Sequence, residues 1–216
     1  MFDSENFDEA LRNLRDGKMV LVVDDATREN EGDLVAAAEF VTGEQINFMA
    51  REARGLICVA VERSIAEAND LPQMVRHNED HLGTAFTVSV DAAPEFGVTT
   101  GISAFDRAET IRVLLDSGLG PESLRRPGHV FPLVAHPTGV LGRRGHTEAS
   151  TDLCALAGLR RAAVIVEVLG ADGRMARDST LDEFAHDHGL ITVSVDDVVQ
   201  ARLAATTRFV ETAEPR

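Results

Sequence analysis

Short apolar runs rich in β-branched residues alternate along the chain with segments of helical periodicity, and this alternation constrains the fold most strongly. It indicates a single α/β domain rather than a helix bundle or a β-sandwich. The predicted strands cover residues 19–23, 34–38, 56–61, 84–90, 130–134, 162–168 and 191–195, with about six helices around them. Because the alternation is not strict, we predict a mixed sheet in a layered arrangement.

Local signals refine the prediction of individual elements. Two capping boxes mark helix starts, Thr42 with Gln45 and Thr180 with Glu183. Residues 84–90 alternate between apolar and polar side chains, which predicts a half-buried strand. Pro132 cannot donate a ladder hydrogen bond, so the run 130–134 is predicted to be an edge or irregular strand. Asp172-Gly173 is a hairpin-type turn signal.

Composition bounds the class of protein. The 216 residues carry 36 acidic and 21 basic side chains, a formal net charge of −15, which disfavours a nucleic-acid partner. No apolar run is long enough to span a membrane, and the acidic start lacks a secretory signal, so we predict a cytoplasmic protein. Cys58 and Cys154 support neither a disulfide framework nor a zinc site. A small anionic substrate could still bind through a local arginine cluster.

An acidic segment, residues 24–33, directly follows the first predicted strand. It holds five carboxylates, and like charges packed this closely favour a bound cation or a raised pKa. Oxygen ligands of this kind suit Mg²⁺ or Mn²⁺. We place most of this segment, residues 25–33, in a loop. The alternative interpretation is a solvated acidic loop with no ligand.

A basic segment, Arg143-Arg144-Gly145-His146-Thr147, stands where a helix is predicted to begin. Helix-terminal N–H groups, the Thr147 hydroxyl and guanidinium groups together match a phosphate, and His146 could bind a metal beside it. The alternative is that Thr147 is only an N-cap and the arginines are surface charges.

Two further residues are candidates for acid–base chemistry. His129 follows Arg126-Pro127-Gly128 at the start of a predicted strand, where it could act as a general acid or base or be merely structural. Glu167 lies in the apolar run 162–168, and an unpaired buried carboxylate there would be costly. Alternatively, the strand is at an edge and Glu167 points to water.

Several motifs in fixed order resemble 3,4-dihydroxy-2-butanone 4-phosphate synthase of riboflavin biosynthesis. They are Val23-Asp24-Asp25 with residues 28–33, Gly83-Thr84-Ala85-Phe86-Thr87-Val88, Thr99-Thr100-Gly101-Ile102-Ser103, residues 126–133 and Gly145-His146-Thr147-Glu148-Ala149. The resemblance runs from about residue 7 to about residue 200. It implies a lyase that converts D-ribulose 5-phosphate into 3,4-dihydroxy-2-butanone 4-phosphate and formate, with Mg²⁺ or Mn²⁺ and without an organic cofactor. It also implies a homodimer with active sites near the subunit interface, and a three-layer α/β/α domain with a mixed, twisted sheet.

The resemblance assigns roles residue by residue. It implies metal ligands at Glu29 and His146, and proton transfer by His129 and Glu167, with Glu31 a further acid–base candidate. The groups expected to contact the sugar phosphate are Arg28, Glu29, Asp33, Arg143, Arg144, Gly145, His146, Thr147 and Glu167. Residues 1–216 are predicted to form one domain without a GTP cyclohydrolase II domain, because the chain lacks a cysteine cluster for that enzyme's zinc.

The chain departs from the family pattern at two places. Ala26 and Thr27 stand where relatives often have two more acids, and Arg144 stands where a small residue is common. Neither change removes a residue with an implied catalytic role. Two alternatives stay open, a related enzyme acting on another phosphoketose and a non-catalytic module that binds metal or phosphate.

Overall fold

The computed structural model describes residues 3–213, in which strands and helices alternate as the sequence predicts. The elements are α1 (Ser4–Arg15), β1 (Val20–Val23), β2 (Gly32–Ala37), α2 (Gly43–Phe48), β3 (Cys58–Val61), α3 (Arg63–Ala68), β4 (Val90–Ala92), α4 (Ala104–Leu115), β5 (Leu124–Val134), α5 (His146–Leu156), β6 (Ala162–Glu167), α6 (Ser179–His188), β7 (Thr192–Ser194) and α7 (Val195–Ala213). Across residues 3–213, no helix has the length and apolar character needed to cross a membrane.

The seven strands form one mixed sheet in the order β4-β5-β3-β6-β2-β1-β7. Two neighbouring pairs are parallel, β3 with β5 and β1 with β7, and the other pairs are antiparallel. The prediction of a mixed sheet is therefore confirmed. β6 lies at the centre, between β3 and β2, which explains why its residues are almost all apolar.

Successive strand residues point into two separate cores, one on each face of the sheet. Leu34 and Val164 pack in the first core with residues of α2 and α4, such as Ile46 and Ile111. Val35 and Ile165 pack in the second core, which buries residues of α1, α5 and α7; these are Phe7, Ala10, Leu14, Ala149, Leu153, Cys154, Val195, Val198 and Val199. This period-2 division confirms the three-layer α/β/α arrangement.

One of the two capping boxes is present. Thr42 accepts a hydrogen bond from the backbone of Gln45, whose side chain in turn accepts one from the Thr42 backbone. The box predicted at Thr180 and Glu183 is wrong, because α6 begins at Ser179, two residues before the start that an N-cap at Thr180 would give. Its N-cap is Asp178, which makes no side-chain cap hydrogen bond.

The sheet departs from the prediction beside Pro132. The strand predicted at 84–90 is wrong for most of its length, since β4 begins only at Val90. Residues 85–87 instead make isolated contacts with β5, including a hydrogen bond from the Thr87 backbone to the Pro132 carbonyl. β5 is not an edge strand, because it lies between β4 and β3. A proline that cannot donate on that side explains why no continuous ladder forms there.

Candidate active site

Two carboxylates face each other at one end of the sheet. Asp33 of β2 and Glu167 of β6 are direct cross-strand partners, so both side chains lie on the face that carries α5. Asp33 is thus a strand residue, which corrects the loop predicted over 25–33. Glu167 ends the central strand and its carboxylate accepts a hydrogen bond of 2.8 Å from the Leu56 backbone. The alternative of an edge strand with Glu167 in water is wrong.

Asp24 organises the acidic segment that joins β1 to β2. Its Oδ1 accepts from the backbone N–H of Glu31 at 2.9 Å. Its Oδ2 accepts from the Glu29 backbone at 3.1 Å and from the Arg28 guanidinium at 2.8 Å. Arg28 also contacts the Glu29 carboxylate. These bonds fold the segment back on Asp24 and direct Glu29 toward the first turn of α5.

Asp24, Glu29 and His146 bring one ligand atom each into a group whose members lie within 4.8 Å of one another. The Nδ1 atom of His146 is 3.6 Å from Oε2 of Glu29. Its Nε2 atom is buried and has no hydrogen-bond partner among the described residues. A buried polar atom without a partner is costly, and two carboxylates with one imidazole form a donor set that suits Mg²⁺ or Mn²⁺. The residues therefore fit a divalent cation.

The electrostatics of this end of the sheet are dominated by the crowded acids. Burial and the neighbouring carboxylates raise the pKa of Asp33 to about 7, although His146 acts against them. Burial alone would lower the pKa of His146, but Asp33 and Glu29 raise it to about 9. The nearby His146 ring lowers the pKa of Glu29, whereas burial and the Glu29 charge raise the pKa of Glu31. Added positive charge is therefore favoured here.

The N-terminus of α5, where His146 lies, completes the site. The helix begins at His146 after Gly145, so Thr147 is not the N-cap, and its buried side chain lines the cavity. Arg143 is held by three contacts, to the Leu82 carbonyl, the Thr84 hydroxyl and, at 2.6 Å, the Glu148 carboxylate. Helix-terminal N–H groups beside a fixed guanidinium are suited to binding a phosphate.

These side chains surround a cavity of about 110 Å³. Its lining contains seven of the predicted site residues, Arg28, Glu29, Asp33, Arg143, His146, Thr147 and Glu167, together with Cys58, Thr84, Phe86, Leu133 and Ile165. A larger groove of about 670 Å³ lies beside α2 and α4, but its charged residues include Glu109 and Arg112, which pair with each other. The group of potential metal ligands and the convergent charges identify the smaller cavity as the candidate site.

Four predicted site residues do not line this cavity. Gly145 precedes α5, and a side chain there would collide with Arg143. Arg144 is largely exposed and pairs with Asp196 of α7 at 2.9 Å. Glu31 lies 3.7 Å from Arg177, and His129 bonds to Asp91.

The sequence did not single out Asp24, which joins Glu29 and His146 in the group that could hold a metal ion. The position of Asp24 could have identified it, because this residue directly follows a buried strand and begins the acidic segment. Carboxylates at the end of a strand are placed firmly by the sheet.

The family model for 3,4-dihydroxy-2-butanone 4-phosphate synthase matches residues 8–201. The chain belongs to this family. A 3,4-dihydroxy-2-butanone 4-phosphate synthase of Agrobacterium fabrum is 53% identical over 192 residues, which are 89% of each protein. A solved synthase described as a complex with two magnesium ions is 46% identical, with a TM-score of 0.84, over 93% of this chain and 96% of that one.

Some relatives of this chain are longer. The riboflavin biosynthesis protein RibBA of Synechocystis is 54% identical over 211 residues, which are 98% of this chain but 37% of that protein. RibBA of Aquifex aeolicus is 52% identical over 206 residues, 95% of this chain and 51% of that protein. The chain thus spans between about a third and a half of the length of these relatives.

Proposed function

We propose that this member of the synthase family converts D-ribulose 5-phosphate into 3,4-dihydroxy-2-butanone 4-phosphate and formate. The proposed steps are enolisation, loss of water, a shift of the carbon skeleton, addition of water and release of formate. The atoms balance because the water that is lost is matched by the water that is added. The observation that carries the proposal is the group formed by Asp24, Glu29 and His146 beside the Asp33–Glu167 pair. Repeated proton transfers next to a cation require such a combination of groups.

Glu29 and His146, with Asp24 as a third group, would hold Mg²⁺ or Mn²⁺. When bound, the cation supplies Lewis-acid polarisation of the vicinal substrate oxygens. The protein's own contribution is to hold the ligands in place. Arg28 supports Glu29 through its contacts with both Glu29 and Asp24. We propose no organic cofactor, since carboxylates, histidines and the cation supply the required chemistry.

Arg143, Thr147 and the N–H groups at the start of α5 would bind the phosphate. Arg143 and Thr147 line the same cavity as Glu29 and His146, and His146 directly precedes Thr147, so the phosphate and the vicinal oxygens of one bound sugar phosphate would both be held at this helix start. Gly145 supports this role by leaving room for Arg143. Arg144 would act from the rim, because its guanidinium is bound to Asp196.

Glu167 and Asp33, which line the same cavity, would contact the sugar carbons and hydroxyls. Glu167 is oriented by the Leu56 N–H, so one carboxylate oxygen is fixed. We assign Glu167 a proton-transfer role, with Glu31 as a further acid–base group near Arg177. Asp33 would accept hydrogen bonds from the substrate.

His129 belongs to the same proposal only within an assembly. It does not line the cavity of its own chain, and its side chain is 42% exposed near the β4 edge of the sheet. In the proposed homodimer, a second copy would bring His129 to the cavity. A single functional domain and a cytoplasmic location complete the proposal.

The test is formate release from ribulose 5-phosphate by the purified protein, with Mg²⁺ and with a chelator. Metal-dependent release that falls by roughly 100-fold or more in Glu167→Gln supports the proposal. Glu62→Gln, a control on a partly exposed carboxylate, should retain activity. No release, together with binding of the sugar phosphate, would indicate a binding module. Turnover of a different phosphoketose alone would indicate a related enzyme.

A further inference from the structure

His129 is held by a carboxylate that the sequence motifs do not single out. The Nδ1 atom of its ring lies 2.7 Å from Oδ2 of Asp91, and its backbone N–H donates to Oδ1 of the same residue at 2.9 Å. One carboxylate therefore binds both the main chain and the ring of His129. A two-point contact of this kind fixes the ring plane as well as its position.

The geometry determines which ring nitrogen is free. An ionised carboxylate only accepts hydrogen bonds, so Nδ1 must carry the proton in this contact. Nε2 then has its lone pair available, and no described residue hydrogen-bonds to it. The ring is partly exposed, whereas the Asp91 side chain is only 14% exposed. The buried partner thus anchors a ring whose opposite nitrogen is available for chemistry.

A second contact keeps Asp91 in place. A Cβ atom added to Gly101 would lie 2.1 Å from Asp91 Oδ2, so only glycine leaves room for the carboxylate. Gly101 has a φ of +87°, and its N–H donates at 3.0 Å to Asp106 of α4. The Thr99-to-Ser103 segment, which the proposed reaction does not otherwise use, therefore forms the wall behind Asp91.

We propose that Asp91 is the positioning residue of His129: it fixes the Nδ1–H form of the ring and leaves Nε2 to move the proton. This inference rests on the proposed function for the role of His129. It assigns Asp91 no contact with substrate. Asp91 acts through the histidine, as a carboxylate that orients an imidazole does in other acid–base sites.

The first test does not depend on activity. Nitrogen-15 spectra of the ring, assigned with His129→Gln, report which nitrogen carries the proton when the ring is neutral. We expect Nδ1–H in the unmodified protein and a shift toward Nε2–H in Asp91→Ala. A ring that is Nε2–H from the start, or that does not change in Asp91→Ala, overturns the proposal.

The second test is a double-mutant cycle on formate release. Asp91→Ala should lower kcat by roughly 10- to 100-fold with a much smaller change in KM. The isosteric Asp91→Asn is the second variant, because it removes the carboxylate charge without changing the packing. In a His129→Gln background the Asp91 substitution should cause no further loss. Losses that multiply would overturn the proposal. The exposed Glu95→Gln is the matched control. If the unmodified protein releases no formate, the proposed function fails, while the ring spectra still decide the Asp91–His129 relationship.

Discussion

Nδ1 of His146 lies 3.6 Å from Oε2 of Glu29, although one residue begins a helix and the other follows the first strand. The contact leaves the second ring nitrogen of His146 buried and without a partner among the described residues. Burying such an atom costs free energy unless something binds it. The pair therefore fits the proposed cation site.

His146→Gln should weaken Mn²⁺ binding by about 10- to 100-fold, because an imidazole ligand is lost. The measurement is a calorimetric titration of the folded protein with Mn²⁺. His186→Gln is the matched control, since that side chain is 88% exposed at the end of α6. Equal affinities for both variants would contradict the assignment.

Neighbouring aspartates give a sharper comparison. The Asp24 side chain is 1% exposed and belongs to the metal-binding group, whereas Asp25 only bonds to Thr27 at the surface. Asp24→Asn should lower Mn²⁺ affinity by roughly 10-fold, and Asp25→Asn should leave it unchanged. Both are measured by the same titration. If Asp25→Asn weakens binding as much, total loop charge rather than Asp24 governs affinity.

Asp106 should make folding stability depend on acid pH. Burial opposes its ionisation, but hydrogen bonds from Thr99, Gly101 and Ser103 lower its pKa. Since the folded pKa is below the unfolded one, the stabilisation is present above the unfolded pKa, near 4, and is lost as pH falls through the folded pKa. Asp106→Asn should lower the free energy of unfolding by about 1–3 kcal/mol at pH 7, because hydrogen bonds to a charged carboxylate are lost.

Urea unfolding at pH 7 and near pH 3 measures the Asp106 effect. The difference between Asp106→Asn and the unmodified protein should shrink at the lower pH. Asp116→Asn serves as a control, because Asp116 bonds to the exposed Gly118 N–H outside this network. A difference that does not change with pH would show that Asp106 acts through packing alone.

Gly128→Ala should destabilise the fold by about 2 kcal/mol or more. An added Cβ would lie 1.9 Å from the Val90 carbonyl carbon, so the backbones of β4 and β5 would have to separate. Gly118→Ala, which would only approach Asp116 at 3.2 Å, should cost much less. Thermal melting compares the two variants. Similar melting temperatures would mean that the strands separate at little cost.

The layered fold could be predicted from sequence because short apolar runs alternate with segments of helical periodicity. The period of two along a strand then places Leu34 and Val35 in different cores. The start of α2 was equally local, since a capping box needs only Thr42 and Gln45. Such signals are decided by a few neighbouring residues.

Other features depend on residues far apart in the chain. The alternation at 84–90 looked like a strand, but its partner strand offers Pro132 at the position where a donor is needed. Asp91 resembles any polar residue of an edge strand until β5 places His129 beside it. The acidic and basic segments were recognisable as sites individually, whereas their meeting at Glu29 and His146 required the fold.

The cross-strand pairing of Asp33 with Glu167 has a consequence for how this protein can evolve. Two acids held side by side on paired strands repel each other, so the sheet would be more robust with one of them neutral. A selection for heat resistance alone would therefore favour replacing one of them. The same replacement would remove a group that the proposed reaction uses, so thermal stability and the proposed catalysis are opposed at this position.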